Sequence, residues 1–360
     1  MKKKISVAAL SVIIAFSLTA SSTAKALEKK PENNAYVDTK MVTLGGDAFG
    51  IKLYTEGVVI VEVADVVIEG KSYSPAQKAN LQVNDVILKI NGLKITSNEE
   101  LGEIIKRSGD SPIMLTVKRE NKVFETKLTP IKDTEGQLRA GIWIRDSSAG
   151  IGTVTFYDTE NGYLASLGHG ICDANTGLLL PLNRGEAVKA DVTGINKGTK
   201  GTAGGLNGYF GNDIIGSIVE NSDYGVFVSL NSEQINSGEI NGQKIKLAEA
   251  NEVHAGKAYI ISTINQDGPR RFEAEIEYAD KDYQGKTKNF IIKITDRILL
   301  DQTGGIVQGM SGSPVIQNEK LVGAVTHVFL NEPDKGFGIY AVNMVDNYRK
   351  LSYNRQENAA

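Results

Sequence analysis

Gly309-Met310-Ser311-Gly312-Ser313-Pro314, followed by Val315-Ile316 and the apolar return Leu321-Val322-Gly323-Ala324-Val325, is the stretch on which the reading of this chain turns. A serine between glycines on a tight turn exposes its Oγ and lets nearby backbone N–H groups point to one spot. Donors preset in this way hold negative charge where it develops on a carbonyl oxygen. The amides of Gly309 and Ser311 are the candidates. A bare Gly-x-Ser-Gly is more often an ordinary turn between strands, so the chemistry needs support from elsewhere in the chain.

A serine hydroxyl is a poor nucleophile without a base, and the chain has three histidines to offer. His169 stands between Gly168 and Gly170 at the end of the strand-like Tyr163-Leu164-Ala165-Ser166-Leu167, which leaves its imidazole unshielded. His254 lies in a polar stretch, and His327 lies in an apolar strand that reads as core. His169 is therefore the candidate base. The acid that would fix its tautomer has two candidates. Asp296 follows an apolar strand in Ile294-Thr295-Asp296-Arg297, fifteen residues before Ser311, and Asp223 precedes the apolar Tyr224-Gly225-Val226-Phe227. Spacing does not choose between them. The lone Cys172 has no glycine-framed turn and reads as a small core residue. No metal-ligand cluster, phosphate-binding glycine loop or paired-carboxylate motif stands out, so neither metal nor cofactor is expected.

Outward from these motifs, the chain divides. Residues 44–131 alternate strands and helices, and 140–348 show short strands and glycine turns with little helical periodicity. In the first part, Val58–Val63, Asp85–Ile90, Ile113–Arg119 and Val123–Leu128 read as strands, and Asn91-Gly92 and Glu120-Asn121 as turns. Ser74-Pro75 opens a short helix, and Asn98 caps a longer one with Leu101, Ile104 and Ile105 on one face. In the second, Ile151–Tyr157, Ile214–Val219, Val226–Leu230, Ala258–Ile264, Phe272–Tyr278, Phe290–Ile294 and Leu321–Val328 are the strands, and two packed β-barrels of about 90–100 residues each fit the span. The fold expected is mainly β: a small α+β domain followed by a two-barrel domain. Residues 27–43 read as a polar linker and 349–360 as a disordered tail.

With 360 residues, 41% of them apolar, two buried cores are affordable. A net charge of −3 gives no footprint for nucleic acid. Lys2-Lys3-Lys4, the apolar Ile5–Leu18 and the small-residue Ala24-Lys25-Ala26 form the three zones of an export signal in residues 1–26, cleaved or kept as an anchor. Its contact with the membrane during export is expected, and the rest of the chain lies outside the cytoplasm.

The chain resembles the stage IV sporulation protein B family of serine peptidases. Val154–Ile171 with its Gly-His-Gly carries the resemblance, as does Ile294–Pro314 with Thr-Asp, Thr303-Gly304-Gly305-Ile306-Val307 and Gly-Met-Ser-Gly-Ser-Pro. Gly57–Val63, Ser74-Pro75-Ala76, Ala79–Ile87 and Ile90-Asn91-Gly92 resemble a bacterial PDZ domain, which that family places before a trypsin-like peptidase domain. The resemblance implies His169 as base, Asp296 as acid and Ser311 as nucleophile. It also implies a peptide-binding loop at Phe49, Gly50 and Ile51. Asp47 beside that loop opposes a carboxylate, so an internal segment or the chain's own N-terminal region is an alternative occupant. The implied substrates are the protein itself and a membrane-anchored regulatory complex between mother cell and forespore, whose cleavage releases activation of a late sigma factor. An idle PDZ scaffold and a general quality-control protease are the rival readings. Bacterial PDZ domains usually have glycine where this chain has Asn80 and Asn84, and asparagine tolerates the left-handed backbone those turns need.

Overall fold

The computed structural model describes residues 40–359 apart from Asp110, Glu239 and Asn241. The export signal expected at 1–26 and most of the 27–43 linker lie outside the described residues, and among those described no helix is long and apolar enough to cross a membrane.

The PDZ-like region follows its local signals closely. Ser97 caps the Asn98–Arg107 helix, one residue before the expected Asn98, with its Oγ accepting from Glu100 N at 3.2 Å. Leu101 and Ile105 turn inward on Val58, Ile60, Ile87, Leu115 and Val117. Asn80 and Asn84 take φ of 56° and 71°, the left-handed conformation that glycine usually supplies. Ile113–Arg119 and Lys122–Leu128 pair as the expected hairpin. Asp85 is fully buried, and Arg119 donates to both its carboxylate oxygens at 2.7 and 2.8 Å, a bidentate pair that compensates the buried charge.

The two-barrel expectation is overturned. Eighteen of the described strands belong to one large mixed sheet rather than to two closed barrels. The reason is that individual strands are shared. Ala48–Val63 pairs at its far end with Val86–Ile90 of the PDZ-like region, while its first half lies between Ile142–Asp158 and Arg184–Asn196. Lys244–Leu247 pairs antiparallel with Met41–Leu44 and parallel with Lys320–Phe329, carrying the sheet into the C-terminal half. Several strands are much longer than their apolar runs, up to the 18 residues of Gly205–Ser222.

Side chains from these shared strands fill the cores. Phe49, Ile51, Val154, Leu164, Val226 and Val228 form one cluster. Val42, Leu44, Phe156, Tyr163, Ile316 and Met344 form a second, and Ile260, Phe272, Ile292, Leu299, Val315 and Tyr340 a third. Of the tail expected at 349–360, residues 349–359 continue the Ala341–Ala359 helix instead. Tyr348 anchors that helix by stacking on Tyr163 with ring centres 3.6 Å apart.

Candidate active site

Ser311 sits on a turn that two strands hold in place. Thr153 Oγ1 donates to Gly309 O at 2.7 Å, and Thr155 Oγ1 donates to Gly312 O at 2.8 Å, both buried. Thr153 N donates to Ser311 O at 3.0 Å. Gly312 has φ of 96°, and a Cβ there would lie 2.0 Å from Thr153 O, so no other residue fits the position.

The amides of the turn divide sharply. Met310 N donates to Val307 O, Gly312 N to Val325 O and Ser313 N to Met310 O. Among the described residues, the amides of Gly309 and Ser311 donate to no protein acceptor. In a turn otherwise fully hydrogen-bonded, two free N–H groups two residues apart are what a developing oxyanion requires.

His169 reaches the same place from the end of Tyr163–Ser166. Leu167 is left-handed at φ 62°, a strained conformation for a leucine, and Gly168 follows at 69° with its backbone pressed against Ile339 and Thr326. His169 Nδ1 lies 2.8 Å from Gly170 O. A carbonyl only accepts, so Nδ1 carries the proton and the lone pair is on Nε2. Burial pushes the His169 pKa below its ordinary value, opposed in part by the Gly170 carbonyl.

His169, Ser311 and Gly309 line one cavity of about 590 Å³, with Ser148–Ile151, Val307 and Thr326 among its walls. Ser311 Oγ donates to Thr326 O at 2.8 Å. His327 also lines this cavity, its ring centre 4.7 Å from that of His169 at an interplanar angle of 41°. The sequence placed His327 in the core, whereas its side chain is exposed. The polar pair Thr326-His327, interrupting an apolar run, was the available signal. Although part of it meets solvent, the His327 imidazole packs along the cavity wall, and that desolvation pushes its pKa down to about 4, with the facing His169 and Lys288 adding repulsion.

Neither candidate acid touches the imidazole. Asp296 is the N-cap of the Arg297–Thr303 helix, accepting from Leu299 N at 3.0 Å and from Glu273 N at 3.2 Å. Asp223 is exposed in the turn between Gly205–Ser222 and Gly225–Leu230. Its charge reaches Cys172 and, together with burial, raises the thiol pKa. Cys172 is exposed at the cavity wall rather than buried in the core, and remains a protonated thiol at neutral pH. Among the described residues, no group of three or more His, Cys, Asp or Glu could hold a metal ion.

The expected peptide-binding loop is corrected as well. Phe49, Gly50 and Ile51 lie inside a strand paired on both edges, and Phe49 is fully buried, so the three offer no free edge to a ligand. Asp47 next to them is hydrogen-bonded by Tyr157 Oη at 3.3 Å, and burial raises its pKa. An open cleft of about 1060 Å³ instead runs along the Asn98–Arg107 helix, lined by Leu101, Ile105, Val67 and Ile142–Ile144. Trp143 is exposed there.

Two family models match the chain. The family model described as SpoIVB peptidase S55 matches residues 136–345. The chain belongs to that peptidase family. A PDZ domain model matches residues 66–119. Among solved structures, the PDZ domain of the SdrC-like protein from Listeria monocytogenes is 23% identical, with 25% of this chain and 87% of that one covered and a TM-score of 0.21. The inactive form of the Rv3671c protease is 14% identical, with 56% and 83% covered and a TM-score of 0.31. A mutant of the same protein from Mycobacterium tuberculosis is 12% identical, with 56% and 82% covered and a TM-score of 0.28. Likenesses at these levels have no bearing on the chemistry of the site.

Proposed function

We propose that this member of the S55 family is a serine endopeptidase with Ser311 as nucleophile and His169 as general base. The observation that carries the reading is the pair of unbonded amides at Gly309 and Ser311, facing a cavity that also holds the Ser311 hydroxyl and an imidazole. To meet the base, Ser311 Oγ gives up its hydrogen bond to the Thr326 carbonyl, worth about 1 kcal/mol net. His169 Nε2 then takes the hydroxyl proton as Oγ attacks the peptide carbonyl, and the Gly309 and Ser311 amides hold the oxyanion. His169 returns the proton to the leaving amine, and water hydrolyses the acyl-enzyme by the same steps. In this arrangement the Gly170 carbonyl, rather than a carboxylate, fixes the imidazole tautomer.

The substrates proposed are the protein itself and the extracytoplasmic part of a membrane complex, in the sporulation signalling that leads to a late sigma factor. Export from the cytoplasm belongs to the same proposal. A fluorophosphonate probe tests the chemistry, because only a working Ser–His pair is labelled quickly. Labelling of the full chain is expected to disappear in Ser311→Ala with the circular dichroism spectrum unchanged. Equal labelling of Ser311→Ala would end the serine-peptidase reading, and an unlabelled parent would leave a PDZ scaffold.

A further inference from the structure

We propose that His169 and His327 form a two-imidazole clamp for a divalent transition-metal cation, zinc foremost, and that the bound cation holds the peptidase off. The geometry points to this directly. Zinc–nitrogen bonds of about 2.0–2.1 Å put each imidazole centre about 3.2 Å from the ion, so two rings on adjacent tetrahedral positions have centres about 5 Å apart. The observed separation is 4.7 Å. Both rings line the cavity that contains Ser311.

The ligand atom on the first ring is already selected. His169 Nδ1 is committed to the Gly170 carbonyl, so Nε2 presents its lone pair, with the ring held by a backbone acceptor as metal-ligating histidines usually are. His327 extends from the Lys320–Phe329 strand with its ring beside that of His169. Water completes the coordination beside Ser311 Oγ, which hangs from the carbonyl of the residue just before His327. Structural zinc sites take four protein ligands, so two imidazoles with exchangeable remaining positions make a weaker and reversible site. Imidazole suits zinc, copper and nickel, whereas magnesium and calcium seek oxygen ligands.

The consequence for catalysis follows from a single lone pair. The electron pair of His169 Nε2 that would accept the Ser311 proton is the pair donated to the cation, so metal and catalysis exclude one another. The inhibitory part of this inference rests on the peptidase reading, whereas the clamp does not.

The two parts are tested separately on the full chain. Direct titration of Ser311→Ala with zinc, against a chromophoric chelator, reports binding without any activity. One zinc per chain at micromolar free metal is expected, with no response to magnesium. His327→Gln should raise the zinc concentration for half-occupancy at least about tenfold, while His254→Gln, whose imidazole lies outside the cavity, should not. Zinc K-edge absorption on the unsubstituted protein should count two imidazoles, which keeps the test independent of variant folding. In the parent, micromolar zinc should suppress probe labelling and a chelator should restore it, and His327→Gln should need at least about tenfold more metal. Zinc bound as tightly by His327→Gln as by the parent, or a site with one imidazole or none, overturns the clamp. A parent that binds zinc through two imidazoles yet labels equally with and without it overturns the inhibition. A parent never labelled under any condition removes the peptidase reading and the inhibition with it, and leaves the clamp to the titration.

Discussion

A chain cut at residue 135 offers the sharpest test of the shared-strand architecture. The family match begins at 136, and the sequence suggests that everything before it is a separable peptide-binding module. The structure says otherwise. Residues Ala48–Tyr54 are hydrogen-bonded on one side to Ser147–Thr153 and on the other to Arg184–Lys189. Val42, Leu44, Phe49, Ile51 and Leu53 are all buried, at 0–7% exposure, and four of them sit in cores shared with the peptidase half. At about 1.5–3 kcal/mol per buried apolar side chain, losing these five removes about 7–15 kcal/mol. A whole domain typically has about 5–15 kcal/mol of net stability. The fragment 135–360 is therefore expected to show no cooperative thermal transition and no probe labelling, whereas 40–360 shows both. A peptide spanning 40–55 added in trans should partly restore them. If 135–360 melted cooperatively and labelled at the rate of the longer chain, the coupling inferred from these strands would be wrong.

Three further predictions concern the site. Asp296→Asn should cost about 1 kcal/mol or less, because asparagine still caps the helix but its amide meets Glu273 N–H where the carboxylate accepted, while Asp296→Ala, which loses the cap as well, costs about 1–2 kcal/mol in a denaturant titration. Labelling of Asp296→Asn should stay within about tenfold of the parent, and a folded variant slowed about 10⁴-fold would show that the working enzyme brings this carboxylate to the imidazole. Thr153→Val leaves the buried Gly309 carbonyl unpaired, so it should cost about 1–3 kcal/mol and slow labelling, with Thr153→Ser restoring both. Because burial lowers the His169 pKa, and the base works only when neutral, the acid limb of the labelling profile should have its midpoint below pH 6.5. A midpoint at pH 7 or above contradicts that assignment.

Where structure is written in neighbouring residues, the sequence was a good guide. The capped Asn98–Arg107 helix, the hairpin from Ile113 to Leu128 and the asparagines at left-handed turns all depend on local propensities that a single chain displays. The long strands do not. Residues 145–150, Arg145-Asp146-Ser147-Ser148-Ala149-Gly150, have no apolar run that marks them as a strand. Their pairing with Ile51–Val59 joins segments about ninety residues apart. Pairings of that kind are set by which surfaces meet on folding, and so a continuous sheet was read as two closed barrels.

The candidate site divides along the same line. The glycine-framed Ser311 and His169 announce themselves because both need backbone conformations and close approaches that only glycine neighbours permit. An acidic residue carries no such mark. Asp296, after an apolar strand and before Arg297-Ile298-Leu299-Leu300, has the sequence signature of a helix cap as fully as that of a strand-end acid. Only the partners of its oxygens separate the two, and both oxygens accept from backbone amides. A carboxylate has about four acceptor sites, so two amides do not exhaust it; what ties this one down is the first turn of the Arg297–Thr303 helix, which it caps. The partners each group has therefore assign Asp296 to the helix and the Nδ1 proton of His169 to the Gly170 carbonyl.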